Sequence, residues 1–161
     1  AFYEKYGLKF IGLRYMNVYG SRQDYLNVYT SVIMKVLDRL YQNKAPLIYG
    51  DGLQSYDFIH VKDVARANIL ALKSNKTDEF YNIGTGTKTT IKELVKLILK
   101  ITHSKQKIQY LPQGITFVTH RIGSTEKTAK DLKFKAQIKL EQGLKEVIRW
   151  RDGKSDKKLL I

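Results

Sequence analysis

Apolar positions along this chain follow two alternating rhythms. Residues 26–42 carry Val28, Val32, Ile33, Val36, Leu37 and Leu40 at helical spacing. Residues 9–16 form one short apolar run, and 47–49, 58–61, 80–83 and 108–111 are others, each of strand length. Pro46 resets the chain after the first of the long helices. The opening residues 1–6 read as the last turns of a helix closed by Gly7. Asp63 stands where an N-cap belongs, ahead of a helix to about Lys73. Thr90 and Glu93 form a capping box for a helix to about Thr102. Ser124 is expected to start a short helix to Leu132, and 140–150 a final one. Strands alternating with helices predict an α/β layered fold.

Composition narrows the class without naming a function. A chain of 161 residues, 43% hydrophobic and 27% charged, is long enough to build one core. No apolar run approaches the roughly 20 residues of a bilayer span, so no membrane association is expected. No signal peptide is visible at the start. The chain has no cysteine and 3 scattered histidines, which excludes thiolate sites and argues against a metal. A cytoplasmic setting fits. The net charge of +14 raises nucleic acid as a partner, but the cations are 22 Lys against 7 Arg. They also fall on exposed helix faces, as at Lys92, Lys96 and Lys100, so a solvated surface is expected and no nucleic-acid partner.

The chemistry gathers in four segments. LRYMNVYGSRQ (13–23) ends an apolar run in more hydrogen-bonding groups than a turn needs. LIYGDGLQSYDFIHVKDVARA (47–67), EFYNIGTGTKTTIKEL (79–94) and VTHRIGSTEKTAKDLKF (118–134) follow. No GxGxxG or GxxGxxG turn occurs, and Gly84-Thr85-Gly86 reads either as a tight turn before a helix cap or as a phosphate contact.

In this order the four segments resemble the C-terminal half of the nucleotide-sugar epimerases and dehydratases, the extended short-chain dehydrogenase/reductases. The resemblance covers about residues 1–152. It implies an α/β C-terminal substrate-binding lobe plus the last strand or strands of a Rossmann-type domain, the N-terminal dinucleotide-binding part being missing. By the same resemblance, residues 1–23 are a remnant of the cofactor-binding domain, 24–152 the nucleotide-sugar-binding lobe and 153–161 a frayed tail.

The resemblance also implies site residues. Tyr15, Met16 and Val18 match positions against the nicotinamide of NAD. Asn17 matches a residue that hydrogen-bonds the sugar diphosphate; its alternative is a turn cap, while Tyr19 is either a site or a core residue. Leu47 and Tyr49 match residues that bracket the base, as does Val32 on the preceding helix, though all three could simply be core. Asn82 matches a contact to phosphate or ribose, against an alternative as a buried amide that ties down the following turn. Arg121 matches a diphosphate arginine, against a surface ion pair. Asp57, His60 and Asp63 read as polar anchors and a helix cap. Tyr56 departs from the pattern: many relatives place an Arg there, and a phenol supplies one neutral hydrogen bond instead of a charged fork.

The family works with a Tyr-x-x-x-Lys pair, and no Tyr in this sequence has a Lys four residues on. The expectation is therefore no catalytic residue in this chain and no metal. The resemblance implies the nucleotide-sugar-binding portion of an NAD-dependent NDP-sugar 4-epimerase, expected to be inactive as an isolated fragment, with NAD held mainly by the missing half. The expected ligand is a nucleoside-diphosphate sugar, UDP-sugars foremost, and a homo-oligomer is expected. A 4,6-dehydratase or reductase fragment, or a non-catalytic nucleotide-sugar-binding module, is the alternative.

Overall fold

The computed structural model of the chain describes residues 2–25, 31–112 and 119–155. Helix α1 (Phe2–Tyr6) closes at Gly7, whose N–H reaches the Tyr3 carbonyl at 2.8 Å with φ at 63°. That left-handed cap suits glycine. The run 9–16, expected as one strand, ends early and hands over to a second. β1 (Ile11–Tyr15) pairs in parallel with β6 (Glu79–Ile83), whereas β2 (Asn17–Tyr19) pairs in parallel with β5 (Phe58–His60). The handover is visible in the hydrogen bonds. Met16 donates its N–H to the Ile83 carbonyl at 3.0 Å, and Asn17 donates to the Asp57 carbonyl at 2.9 Å.

Two further small sheets complete the strands. β3 (Leu47–Tyr49) pairs in parallel with β8 (Gln109–Leu111). β4 (Ser55–Tyr56) lies between β7 (Thr89–Thr90), antiparallel to it, and β9 (His120–Arg121), parallel to it. The GDGLQ segment before β4 turns through Gly50 and Gly52, both at positive φ.

Among the described residues, the helices that follow α1 cover these strands. α2 (Val32–Tyr41) is capped by the Ser31 hydroxyl, which accepts the Met34 N–H. The expected earlier start at 26, with Val28, falls outside the described residues. α4 (Ile91–Ile101) carries the capping box read from Thr90 and Glu93, with both reciprocal bonds made. α5 (Glu126–Leu132) starts two residues later than Ser124. α6 (Leu140–Ser155) runs through Ser155, into the stretch expected to fray; 156–161 lie outside the described residues.

The cap of the remaining helix differs from the expected one. α3 (Val61–Leu72) is capped by His60, whose Nδ1 accepts the Lys62 N–H at 3.3 Å, and not by Asp63. Asp63 sits in the first turn and is buried. Its carboxylate accepts N–H groups of Gln137 and Ile138 at 2.9–3.1 Å and the Arg66 guanidinium at 2.8 Å. The distant 137–138 backbone N–H groups and Arg66 together satisfy the carboxylate, and this long-range contact takes the place of the local cap.

Two buried clusters hold the layers. Ile33, Met34 and Leu37 of α2 meet Leu94 and Ile98 of α4 and Leu144 and Val147 of α6, with Tyr19 and Ile48 between. Ile59, Val64, Tyr81 and Ile83 pack with Leu132 and Phe134. α2 is further tied to α6 by the ion pair of Asp38 with the buried Arg151. The Arg151 guanidinium also lies 3.7 Å from the Tyr25 ring centre, so its charge is shared between a carboxylate and an aromatic face.

Candidate functional site

The partner change between Met16 and Asn17 opens a space that neither sheet fills. Beside it lies a cavity of about 880 Å³, within the range of small-molecule sites. One wall is Met16, Asn17, Val18 and Tyr19 at the crossover. A second is α2, through Ser31, Val32, Lys35 and Arg39. The third is the strand segment Leu47, Ile48 and Tyr49 with Gln54, Tyr56 and Phe58. Of the residues read from the sequence, Asn17, Val32, Leu47, Tyr49 and Tyr56 therefore converge on one cavity, together with Met16 and Val18.

Each is held by a local cause. The Asn17 Nδ2 donates to the Asp57 carbonyl at 3.3 Å, which leaves the amide oxygen and a second N–H. Tyr49 is 56% exposed at the rim, and the Gln54 Nε2 holds its carbonyl at 3.1 Å. Tyr56 packs edge-on against Phe58, centroids 6.2 Å apart. Tyr19 is buried, and burial first, then the carboxylates Asp63 and Glu146, push its phenol well above its ordinary pKa. It stays a neutral wall residue.

Three predicted residues do not line the cavity. Tyr15 points to a separate cleft with Lys9, Phe10 and Asn68, and its hydroxyl donates to the Asn68 Oδ1 at 2.9 Å. Asn82 donates its amide to the Ser124 carbonyl at 3.1 Å, and so ties β6 to the loop after β9. Arg121 is the direct register partner of Tyr56 on the neighbouring parallel strand. Paired residues of adjacent strands share a face, so Arg121 follows Tyr56 on the same side of that sheet. It is exposed, and among the described residues its guanidinium has no ion-pair partner.

The Gly84-Thr85-Gly86 turn resolves its two readings through an internal anion. The Thr85 and Gly86 N–H groups both donate to the buried Asp57 carboxylate at 2.8–3.0 Å, and the Thr85 hydroxyl adds a bond of 2.5 Å. A phosphate would have to displace that carboxylate. A Cβ on Gly84 would come within 2.3 Å of the Asp57 Oδ2, so the close approach itself requires glycine there. The turn is therefore already occupied by the chain's own carboxylate.

Sequence reading missed Lys35 and Arg39, the cations that line the cavity. The signal was present: Val32, Lys35 and Arg39 sit three and four residues apart on α2, one helical stripe. Arg39 is fixed by its Nε, which donates to the Ala45 carbonyl at 2.5 Å. Among the described residues no group of three His, Cys, Asp or Glu is placed to hold a metal, and no helix is long and apolar enough to cross a membrane.

Comparison with known proteins places this arrangement. The profile of the NAD dependent epimerase/dehydratase family matches residues 1–84. A putative UDP-glucose 4-epimerase of Methanocaldococcus jannaschii is 39% identical over 150 residues, which span 90% of this chain and 46% of that one. The UDP-glucose 4-epimerase of Thermotoga maritima, solved with UDP-glucose, matches with a TM-score of 0.90 at 35% identity, over 96% of this chain and 49% of that chain. A UDP-N-acetylglucosamine 4-epimerase of Methanobrevibacter ruminantium, solved with UDP-N-acetylmuramic acid, matches at TM-score 0.89 and 35% identity, over 95% and 49%. The chain spans about half the length of these relatives. Its parallel-paired α/β fold is that of the Rossmann-type epimerases. With four motifs, the crossover cavity and a family match over residues 1–84 in agreement, the chain belongs to the NAD dependent epimerase/dehydratase family.

Proposed function

We propose that this chain is the nucleotide-sugar-binding portion of an NAD-dependent NDP-sugar 4-epimerase, with a UDP-sugar as ligand. The observation that carries this is the convergence of Asn17, Val32, Leu47, Tyr49 and Tyr56 on one cavity, with Met16 and Val18 at its crossover end. Val32, Leu47 and the exposed ring of Tyr49 bracket the base, a flat apolar slot that suits a pyrimidine. Asn17 and Tyr56 donate neutral hydrogen bonds to the diphosphate. Arg121, in register with Tyr56, adds the charged one, and Lys35 and Arg39 raise the positive potential of the cavity. Asn82 contributes through the loop that follows Arg121. The 39% and 35% identities to 4-epimerases favour that reaction over a dehydratase or a reductase.

When bound, NAD supplies the hydride acceptor and donor. The part of this chain is to offer Met16 and Val18 as an apolar face to the nicotinamide and to keep the sugar diphosphate in place. Residues 1–23 belong with the cofactor domain, and Tyr15, outside the cavity, takes its cofactor contact from that side. Most of the NAD contact and the Tyr-x-x-x-Lys chemistry lie outside the 161 residues, so these residues alone do not turn over. The test has two arms. The full-length gene product should interconvert UDP-glucose and UDP-galactose, while residues 1–161 alone should show no conversion above a buffer control. Turnover by the isolated residues, or none of either UDP-sugar by the full-length product, overturns the assignment.

A further inference from the structure

β9 is a two-residue strand that carries Arg121 and pairs in parallel with β4. The Ser55 N–H reaches the Thr119 carbonyl at 2.9 Å, and the Asp57 N–H reaches the Arg121 carbonyl at 3.1 Å. Such bonds are each worth only about 1 kcal/mol net. A side-chain bond adds to this backbone ladder: Ser55 Oγ lies 2.7 Å from His120 Nδ1. Ser55 is fully buried, and a hydroxyl left without a partner there would be costly. Successive strand residues face opposite sides, so the Ser55–His120 pair fastens one face of the β4–β9 ladder while Tyr56 and Arg121 share the other.

We propose that Ser55 and His120 are positioning residues for Arg121: their bond holds β9 in register on β4 and so sets the reach of the guanidinium toward the diphosphate. This rests on the diphosphate contact proposed for Arg121. The bond survives either direction, since the hydroxyl can donate to the imidazole nitrogen or accept from it. Substitution is therefore the way to break it.

The experiment is calorimetric titration of UDP into the full-length gene product and its variants, with melting temperatures read alongside. Ser55→Ala and His120→Ala should each weaken UDP binding roughly three- to tenfold. His120→Asn, whose amide can occupy the Nδ1 position, should stay within about twofold of the parent. In an Arg121→Ala background, Ser55→Ala should change affinity by less than about twofold, because the group it positions is gone. A lowered melting temperature with unchanged affinity in both single variants would make the bond a structural tie only and overturn the proposal. So would an undiminished loss in the Arg121→Ala background, or His120→Asn no better than His120→Ala. His120 is exposed, so its variants answer the question even if Ser55→Ala folds poorly. If Arg121→Ala itself binds UDP like the parent, the diphosphate assignment falls and positioning falls with it. If Arg121→Ala is weakened while Ser55→Ala and His120→Ala are not, only the positioning falls.

Discussion

Gly143 of α6 lies directly over the Tyr19 hydroxyl: a Cβ built on Gly143 would stand 2.2 Å from the Tyr19 Oη and 2.9 Å from the His60 Cδ2. That hydroxyl donates to the Leu140 carbonyl in the first turn of α6, at 3.4 Å. One glycine thus lets a helix settle onto the back of the cavity wall.

Gly143→Ala should accordingly destabilise the fold, although alanine in a helix interior ordinarily gains about 1 kcal/mol over glycine. Overpacking against a buried ring costs about 1–3 kcal/mol, and here it outweighs the helix preference. In a Tyr19→Phe background the clash loses its nearest atom, so the penalty should shrink. Urea denaturation of the two singles and the double measures this. An additive double, with the full penalty retained, would place the strain elsewhere.

Arg121→Ala should cost the full-length gene product about 1.5–3 kcal/mol of UDP affinity, roughly tenfold to hundredfold. Tyr56→Phe should cost less, about 0.5–1.5 kcal/mol, since only a neutral hydrogen bond is removed. Tyr56→Arg should hold affinity or raise it. Isothermal titration that ranked Tyr56→Phe as the more damaged would put the diphosphate elsewhere.

Asp57→Ala should destabilise by about 2–4 kcal/mol, because it strands the Thr85 and Gly86 N–H groups that now share a buried carboxylate. Asp57→Asn keeps the shape and an acceptor oxygen, and should fall between Asp57→Ala and the parent. Hydrogen exchange at Thr85 and Gly86 is the local readout. Protection that survives Asp57→Ala would show that the carboxylate does not hold the turn.

His60 makes stability depend on pH in a definite window. Burial first, and then the Lys62 charge, hold its imidazole below the ordinary 6.5, against the opposing pull of Glu146 and Asp63. The unfolded chain therefore takes up the proton at a higher pH than the folded one. The stability from the neutral ring is complete above about 6.5 and is lost as pH falls toward the folded value. His60→Asn, which keeps an N-cap acceptor, should flatten this part of the profile. Melting temperatures at pH 7.5 and pH 5.5 that differ by the same amount in parent and variant would remove His60 as the cause.

The sequence by itself determined the helices, the longer strand runs and most of the cavity residues, but not the short strands β4, β7 and β9. Helical spacing in 32–40, the Thr90–Glu93 box and the Gly7 cap are local preferences, formed within one or two turns, and nothing distant contradicts them. Asn17, Val32, Leu47, Tyr49 and Tyr56 were legible as a set because their motifs carry a family resemblance, although no period or spacing joins them. Tertiary structure decided what depends on partners far along the chain. The run 9–16 breaks at Met16 because its neighbours change from Ile83 to Asp57, 40 residues beyond Asn17. Asp63 leaves its helix cap for the N–H groups at 137 and 138, and Asp57 fills the glycine turn that could have taken a phosphate. In each case a buried polar group must find its partner wherever packing puts one, and a linear pattern of residues holds no record of that choice.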